Sequence, residues 1–152
     1  MKRRQFLQSA GLMGAMSQMP TSQTSEPIVI ATWKNEEGTK AGWDKIMQTG
    51  KALDGVEVGA WVPEANPEET TVGYGGYPDR DGHVTLDACI MDHLGNAGSV
   101  TFLEGIMHPI SVARAVMEKT PHVMLSGAGA LQFALSQGFK QQNLLTEKSK
   151  KA

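Results

Sequence analysis

The clearest alternation of apolar and polar side chains along the chain covers residues 84–91. Every second position there is apolar, namely Val84, Leu86, Ala88 and Ile90. This two-residue period predicts a half-buried β-strand. A turn over residues 93–98 and a second apolar run over residues 99–103 follow it, and together they predict a β-hairpin. Cys89 lies within the first strand, where we expect it to be a small buried side chain.

Elsewhere the apolar residues recur with the spacing of amphipathic helices. The pattern predicts four helices, over residues 39–48, 52–62, 109–120 and 130–137. Thr39 is the expected N-cap of the first helix, and Pro63 is expected to end the second. Gly55 and Gly59 lie four residues apart in the second helix. Because glycine has no Cβ, that face of the helix can approach another element closely.

Two further apolar runs predict strands. Residues 27–33 are rich in β-branched side chains and are expected to form a buried strand, and residues 122–126 are expected to form a short one. A chain of 152 residues is long enough for one domain. Because strands and helices are mixed and a hairpin lies between helical stretches, the order of elements predicts a layered α/β or α+β fold.

The first 26 residues differ in character from the rest of the chain. A basic start is followed by a weakly apolar stretch and then by a polar segment, which is the layout of an export signal. The run Arg3-Arg4-Gln5-Phe6-Leu7 resembles a twin-arginine signal. We therefore expect residues 1–26 to direct a periplasmic or secreted protein, with residues 27–152 as the mature chain. If these residues are an ordinary flexible N-terminus, we expect a cytoplasmic protein.

Charge and composition exclude several classes of partner. The chain carries 14 basic and 16 acidic side chains, a net charge of −2, which argues against nucleic acid because a phosphate-backbone binder needs a basic excess. No apolar run approaches the ~20 residues of a membrane span, so no membrane partner is expected. With one cysteine, the chain has no intrachain disulfide.

A long loop over residues 63–82, rich in proline and glycine, is the segment most typical of a functional site. The residues alone show no catalytic constellation beside it, since neither a nucleophile elbow nor a singled-out carboxylate pair occurs. The four histidines are scattered, so we expect no metal site. Residues 127–129 read Gly-Ala-Gly but lack the third glycine and acidic partner of a dinucleotide loop, and we expect no cofactor.

Seven stretches in the same order resemble the glycosylasparaginase family of N-terminal-nucleophile hydrolases. They are Ile30–Trp33, Gly50–Asp54, Val72–Asp79, Val84–Asp92, Pro109–Arg114, Glu118–Leu125 and Phe133–Phe139. The resemblance covers residues 28–149 and matches the α-chain portion of that family. It implies an α+β fold that is an incomplete part of a four-layer αββα sandwich.

The resemblance also implies a function and a set of site residues. The family cleaves the amide between N-acetylglucosamine and asparagine, with the N-terminal threonine of a β chain as nucleophile and its α-amino group as base. The implied partners are that β chain, an (αβ)2 assembly and glycosylated asparagine. Trp33 and Thr71 are then expected to contact the substrate. A structural loop beside the site is expected from Gly73, Gly75, Gly76 and Asp79.

Two departures from the family pattern keep alternatives open. Lys34-Asn35 follows Trp33 where the family has Asn-Phe or Pro-Phe, which affects the shape of the substrate pocket. No Asp-Thr dipeptide of the family's cleavage motif occurs in this chain, so we expect no catalytic residue here and an inactive chain when alone. The alternatives are a truncated non-catalytic fragment, or an isoaspartyl peptidase or L-asparaginase of the same fold.

Overall fold

The computed structural model describes residues 26–151. The predicted export signal therefore lies outside the described residues, apart from its last position. The described part contains four α-helices, three β-strands and a short 3-10 turn at Ser149–Lys151. None of the helices in residues 26–151 combines the length and the apolar character needed to cross a bilayer.

The three strands form one small sheet in the order β1-β2-β3. β1 (Thr85–Met91) and β2 (Ala97–Glu104) are antiparallel neighbours, which confirms the predicted hairpin. The turn between them is held by Asp92, whose carboxylate accepts the N–H groups of Leu94 and Asn96 at 2.9 Å each. β3 (Met124–Ser126) pairs in parallel with β2. The mixture of an antiparallel hairpin, a parallel strand and helices confirms the predicted α+β class.

The four helices lie close to their predicted positions but differ at their ends. They are α1 (Glu36–Thr49), α2 (Ala52–Ala65), α3 (Pro109–Lys119) and α4 (Gly127–Ser136). The prediction of Thr39 as the first N-cap was wrong. The N-cap of α1 is Asn35, four residues earlier in the chain, whose side chain accepts the N–H of Gly38 at 3.1 Å. The prediction that Pro63 ends the second helix was also wrong.

Pro63 is tolerated inside α2 because it comes in the last turn. Proline removes one backbone donor, but α2 continues only to Ala65, and the N–H of Asn66 closes the end by binding the carbonyl of Pro63 at 3.2 Å. The lost hydrogen bond, which would join position 63 to the carbonyl of Gly59, therefore lies close to the C-terminal end of α2 and interrupts no longer helix.

Helices α1 and α2 pack unusually closely because glycines line their contact. A Cβ on Gly42 would lie 2.9 Å from the carbonyl oxygen of Gly55, and a Cβ on Gly59 would lie 3.0 Å from that of Gly38. Such distances leave no room for a methyl group on either helix. The prediction that Gly55 and Gly59 permit a close approach is confirmed.

The main core lies between one face of the sheet and helices α3 and α4. Leu103 on β2, Val112 and Val116 on α3, and Ala130 and Ala134 on α4 are fully buried there. A smaller apolar cluster is formed by Val84, Leu86 and Leu144, the last contributed by the segment after α4. α3 is buried on nearly all sides because α2 covers the side that faces away from the sheet.

The opposite face of the sheet is bare in the described part of the chain. Met91 on β1 is 66% exposed, Met124 on β3 is 56% exposed, and Cys89 on β1 is exposed as well. The prediction of a buried Cys89 was wrong, because position 89 points away from the face that α3 and α4 cover.

The predicted buried strand over residues 27–33 is absent. This segment is irregular, and none of the three described strands pairs with it. Ile28 and Ile30 are 79% and 83% exposed, whereas Val29 between them is half-buried and faces Gly42 of α1. The side chains alternate between buried and exposed as they would in a strand, and the face that carries Val29 lies over α1. The segment is not a strand because no described strand pairs with its backbone.

Candidate functional site

The loop between α2 and β1 is fixed to the end of α2 through glycine. Gly73 has a positive φ of 57°, and a Cβ there would lie 2.0 Å from the carbonyl oxygen of Glu64. The adjacent N–H of Tyr74 donates to that same oxygen at 2.7 Å. Any side chain at position 73 would therefore break both the backbone conformation and the contact with α2.

The segment after α4 holds the other side of this loop. The N–H of Gly75 donates to the carbonyl of Leu144 at 2.8 Å, and Gly75 has a φ of 89°. Lys148 reaches the carboxylate of Glu68 at 2.6 Å. Gly76 packs against the Val84 side chain, where a Cβ would lie at 3.2 Å. The predicted loop glycines thus allow the loop to pack closely against α2 on one side and against the segment after α4 on the other.

Asp79 organises the turn that leads into β1. Its carboxylate accepts the N–H groups of Asp81 and His83 at 2.9 Å each. The backbone hydrogen bond from His83 is the main reason that the pKa of Asp79 lies below its ordinary value. Because it is exposed and already bonded to backbone donors, Asp79 has the geometry of a turn-forming residue.

The two predicted substrate contacts, Trp33 and Thr71, lie in different surroundings. Trp33 lines a cavity of about 320 Å³ and is 60% exposed. Thr71 is exposed, and its hydroxyl donates to Glu69 at 2.9 Å. Val72, the next residue, lines the cavity, whereas Thr71 does not. The structure therefore places Trp33 at the cavity. Thr71 lies at the margin of the cavity, on the loop that contributes Val72 to the lining.

This cavity is bounded by the segment before α1, the glycine-lined faces of α1 and α2, and the loop. Its lining is mostly apolar, and the polar side chains that reach it are those of Thr32, Asn35, Thr39 and Glu64. Asn35 caps α1, and Thr39 donates to the carbonyl of Asn35 at 3.0 Å. The cavity can hold an apolar or aromatic group, and three of its polar residues, Asn35, Thr39 and Glu64, are engaged in hydrogen bonds within the fold.

Glu64 is a buried acid that the sequence pattern did not single out. One carboxylate oxygen lies 3.0 Å from Nδ1 of His108, and the other accepts the N–H of Ile110 at 3.2 Å. The two donors belong to the start of α3, so Glu64 caps that helix from α2. Burial raises the pKa of Glu64 above its ordinary value, against the opposing effect of these two hydrogen bonds.

Arg114 joins α3 to α2 through three carboxylates. Its guanidinium lies 2.8 Å from Asp54, 2.7 Å from Glu57 and 2.7 Å from Glu118. Burial alone would lower the pKa of Arg114, but the three carboxylates raise it, and the hydrogen bond from Arg114 lowers the pKa of Asp54. The only sequence signal for this network was the four-residue spacing of Arg114 and Glu118.

A hydrogen-bonded chain extends this network to a second cavity, which is lined by Trp61, His108 and Ser111. Ser111 donates to Glu57 at 2.6 Å and accepts the indole N–H of Trp61 at 2.7 Å. The Trp61 ring lies against the imidazole of His108, with centroids 5.5 Å apart. Within residues 26–151, no group of three or more histidine, cysteine or acidic side chains is arranged to hold a metal ion.

Comparisons with known proteins place these features in a family. The family model described as asparaginase (Asparaginase_2) matches residues 10–152. The chain is 52% identical, over 98% of its length, to an N(4)-(beta-N-acetylglucosaminyl)-L-asparaginase of Elizabethkingia miricola, and covers 48% of that protein. It is 43% identical, over 82% of its length, to the mouse protein of the same description, and covers 36% of it.

A plant-type L-asparaginase of Pyrococcus horikoshii is 45% identical over 74% of this chain, which covers 36% of that protein. The chain thus spans about half the length, or less, of these curated relatives. The ordered motifs predicted the α-chain portion of this group, and the matched length is consistent with that portion. By the match of the family model over nearly its whole length, the chain belongs to the asparaginase family represented by Asparaginase_2.

Proposed function

We propose that this chain is the α-chain segment of an amidohydrolase that cleaves the amide between N-acetylglucosamine and asparagine. The nucleophile in this proposal is the N-terminal threonine of a β chain from the same precursor, and its α-amino group is the base. The relatives at 52% and 43% identity, whose names specify that amide, support this substrate over other amides.

The observation that carries the proposal is the bare face of the sheet. Met91 and Met124 are more than half exposed on a face that no described element covers. A two-layer arrangement of helices on one face of a sheet leaves apolar area that favours a further layer. Since the relatives are about twice as long, we propose that the β portion supplies a second sheet there and completes a four-layer αββα sandwich.

The segment before α1 supports the same partner. Ile28 and Ile30 point outward from an extended segment whose backbone pairs with none of the described strands. Unpaired extended backbone with apolar side chains is a template for strand pairing. We propose that a strand of the β portion pairs with residues 27–33 and converts them into the strand that the sequence pattern predicts.

Trp33 is the residue of this chain proposed to meet the substrate directly. Its indole presents a flat apolar surface beside the cavity, suited to the apolar face of a sugar. Thr71 is proposed to approach the substrate from the loop once the partner is bound. The chain's buried acid, Glu64, is held by His108 and Ile110, so the proton transfers are assigned to the β chain.

Assembly and location follow from the same proposal. The α and β chains would form an (αβ)2 enzyme, with glycosylated asparagine as its substrate and no nucleic-acid or membrane partner. The twin-arginine-like segment would carry the protein to the periplasm or outside the cell, as a folded chain.

The direct test is reconstitution. The chain is co-expressed with the C-terminal portion encoded in frame downstream, and release of aspartate from N-acetylglucosaminyl-asparagine is measured. Trp33→Phe is expected to raise KM, whereas Trp43→Phe, a matched change on α1 outside the cavity, is expected to leave KM unchanged. A folded pair that does not hydrolyse the substrate would contradict the proposed activity, and absence of an in-frame continuation would favour a non-catalytic fragment.

An L-asparaginase or isoaspartyl peptidase activity is the second candidate. It is favoured by the plant-type L-asparaginase at 45% identity. Competition between a β-aspartyl dipeptide and the glycosylated substrate separates the two activities. A higher kcat/KM for the dipeptide would assign the protein to this second group.

A further inference from the structure

The second cavity, defined above by Trp61, His108 and Ser111, is separate from the candidate active site. It shares no lining residue with the cavity beside Trp33. Its volume is about 340 Å³, which is at the lower end of the range of small-molecule pockets. The rest of its lining comes from the chain before α3 and after α4, through Ile106, Met107, Phe139, Lys140 and Gln142.

The two rings that form one wall of this cavity are held in place by hydrogen bonds. The indole N–H of Trp61 donates to Ser111 at 2.7 Å, and Ser111 donates to Glu57 at 2.6 Å. The indole lies against the imidazole of His108, whose Nδ1 is 3.0 Å from the carboxylate of Glu64. Because both rings are oriented before any ligand arrives, binding against them costs little further ordering.

The surface that these rings present is suited to a flat apolar group. Trp61 is 38% exposed, so part of its ring remains available for contact. Phe139 adds a second aromatic side chain, and Met107 adds a flexible apolar one that adapts to the outline of a ligand. Aromatic rings pack favourably against one another in offset or edge-to-face arrangements. The lining therefore favours a ligand with an aromatic ring.

The charge of the lining favours an anion. Among the described residues that line this cavity, none is acidic, and Lys140 is the one with a permanent positive charge. Acidic side chains do line the cavity beside Trp33 and the cavity beside the hairpin turn. Lys140 is exposed, and its long apolar stem lets the ammonium group reach a ligand at the rim. A carboxylate on the ligand is the group that this lysine would bind.

We propose that the second cavity is a binding site for a small carboxylate that carries an aromatic ring. The ring packs on Trp61 and Phe139, and the carboxylate pairs with Lys140. Since Nδ1 of His108 is engaged with Glu64, Nε2 is the ring nitrogen that remains for a polar substituent of the ligand. This site does not depend on the proposed function.

The test is a titration of the full chain, at low micromolar concentration, with phenylacetate. Trp33→Phe and Trp43→Phe leave Trp61 as the one indole, and phenylacetate does not absorb where indole is excited selectively. A bound ring excludes water from Trp61, so its emission is expected to shift to shorter wavelength and to saturate, with a Kd on the order of 1 mM. Phenylacetamide, which is neutral, and acetate, which lacks the ring, are the matched probes and are expected to bind more weakly.

Substitution of the lysine separates the site from unspecific apolar binding. Lys140→Met is expected to weaken phenylacetate binding about fivefold, the effect of one exposed ion pair, and to leave phenylacetamide binding unchanged. Lys140→Arg is expected to retain binding, and Lys40→Met, a change on α1 outside this cavity, is the control. Saturation-transfer NMR of phenylacetate repeats the comparison without the tryptophan substitutions. Absence of saturable binding, or equal affinity of the native chain and Lys140→Met for phenylacetate, would overturn the proposal.

Discussion

The carboxylate of Asp87 accepts a hydrogen bond from the backbone N–H of Phe102 at 2.9 Å, at the point where β1 and β2 lose register. The register shifts between Leu86 and Ala88, and Phe102 adopts a positive φ of 51°. A residue with a side chain rarely takes this left-handed conformation. Asp87 therefore satisfies a backbone donor at the irregularity, and this hydrogen bond holds the bulge in place.

The strain at Phe102 can be measured with two substitutions that remove the same ring. Phe102→Gly is expected to be more stable than Phe102→Ala by about 1 kcal/mol, because glycine adopts the positive φ without a Cβ penalty. The ring is 54% exposed, so both variants lose a similar, small packing contribution. Urea unfolding of the two variants gives the difference directly. Equal free energies of unfolding would show that the positive φ carries no cost.

The close contact of α1 and α2 predicts opposite effects for two glycine-to-alanine changes. A Cβ at Gly55 would lie 2.5 Å from the Ile46 side chain and 2.7 Å from the carbonyl oxygen of Gly42, whereas a Cβ at Gly129 in α4 meets nothing within 4 Å. Gly55→Ala is therefore expected to destabilise the folded chain by about 1–3 kcal/mol, because the added methyl group overpacks the contact between α1 and α2. Gly129→Ala is expected to stabilise by about 0.5–1 kcal/mol through helix propensity. Thermal unfolding of both variants tests the pair, and a destabilised Gly129→Ala would contradict the open space there.

The sequence predicted the elements whose signals are local. The hairpin follows from a two-residue period, and the third helix from Pro109 at its first position, so neither needs knowledge of distant contacts. Residues 27–33 were predicted wrongly because a strand requires a ladder partner, which no local pattern specifies. The same reason explains Cys89: alternation identifies two faces of a strand but not which face a helix covers.

The candidate site was predictable only in part. The loop was singled out by its length and its glycines, and Trp33 by resemblance, and the structure places Trp33 at a cavity that the loop helps to line. Glu64 and His108 are 44 residues apart in the sequence, and Glu57 and Arg114 are 57 apart. Pairs so distant carry no spacing signal, since their meeting depends on how α2 packs against α3.

Removal of Arg114 is expected to reverse the pH dependence of this part of the molecule. In the native chain the pKa of Asp54 is lowered, so its contribution to stability is present near neutral pH and is lost as pH falls through that lowered value. Arg114→Met leaves Asp54 and Glu57 near one another without a counter-charge, so the pKa of Asp54 is expected to rise instead of being lowered. At pH 7 the free energy of unfolding of the variant is expected to be lower by about 2 kcal/mol, a value that allows for the partial exposure of the ion pairs. Near pH 5 the variant is expected to recover part of this loss.

Thermal unfolding at pH 7 and pH 5 checks this reversal. Glu118→Gln serves as the matched control, because its carboxylate is the most exposed of the three partners at 43% and its loss leaves Arg114 paired. It is expected to change stability by less than about 1 kcal/mol and to keep the native direction of pH dependence. An Arg114→Met variant that weakens further at pH 5 would contradict the assigned role of the guanidinium.

The bare face of the sheet predicts how the isolated chain behaves as its concentration rises. Exposed apolar area and open strand edges favour association, so the chain is expected to be monomeric at low micromolar concentration and to self-associate above it. Replacing Met91 and Met124 by threonine keeps β propensity and removes apolar surface, and it is expected to suppress that association with little change in thermal stability. Leu135→Thr, a change at an exposed position of α4 away from this face, is the control.

Analytical ultracentrifugation across a concentration series measures the effect, and near-ultraviolet circular dichroism of the tryptophans reports whether packing is fixed. The double variant is also expected to bind the C-terminal portion more weakly than the native chain, because the surface that drives self-association is the one proposed to receive that partner. If the native chain stays monomeric at every concentration with one sharp transition, residues 27–152 are a self-sufficient domain. In that case the uncovered face needs no second sheet, and the half-sandwich interpretation is wrong.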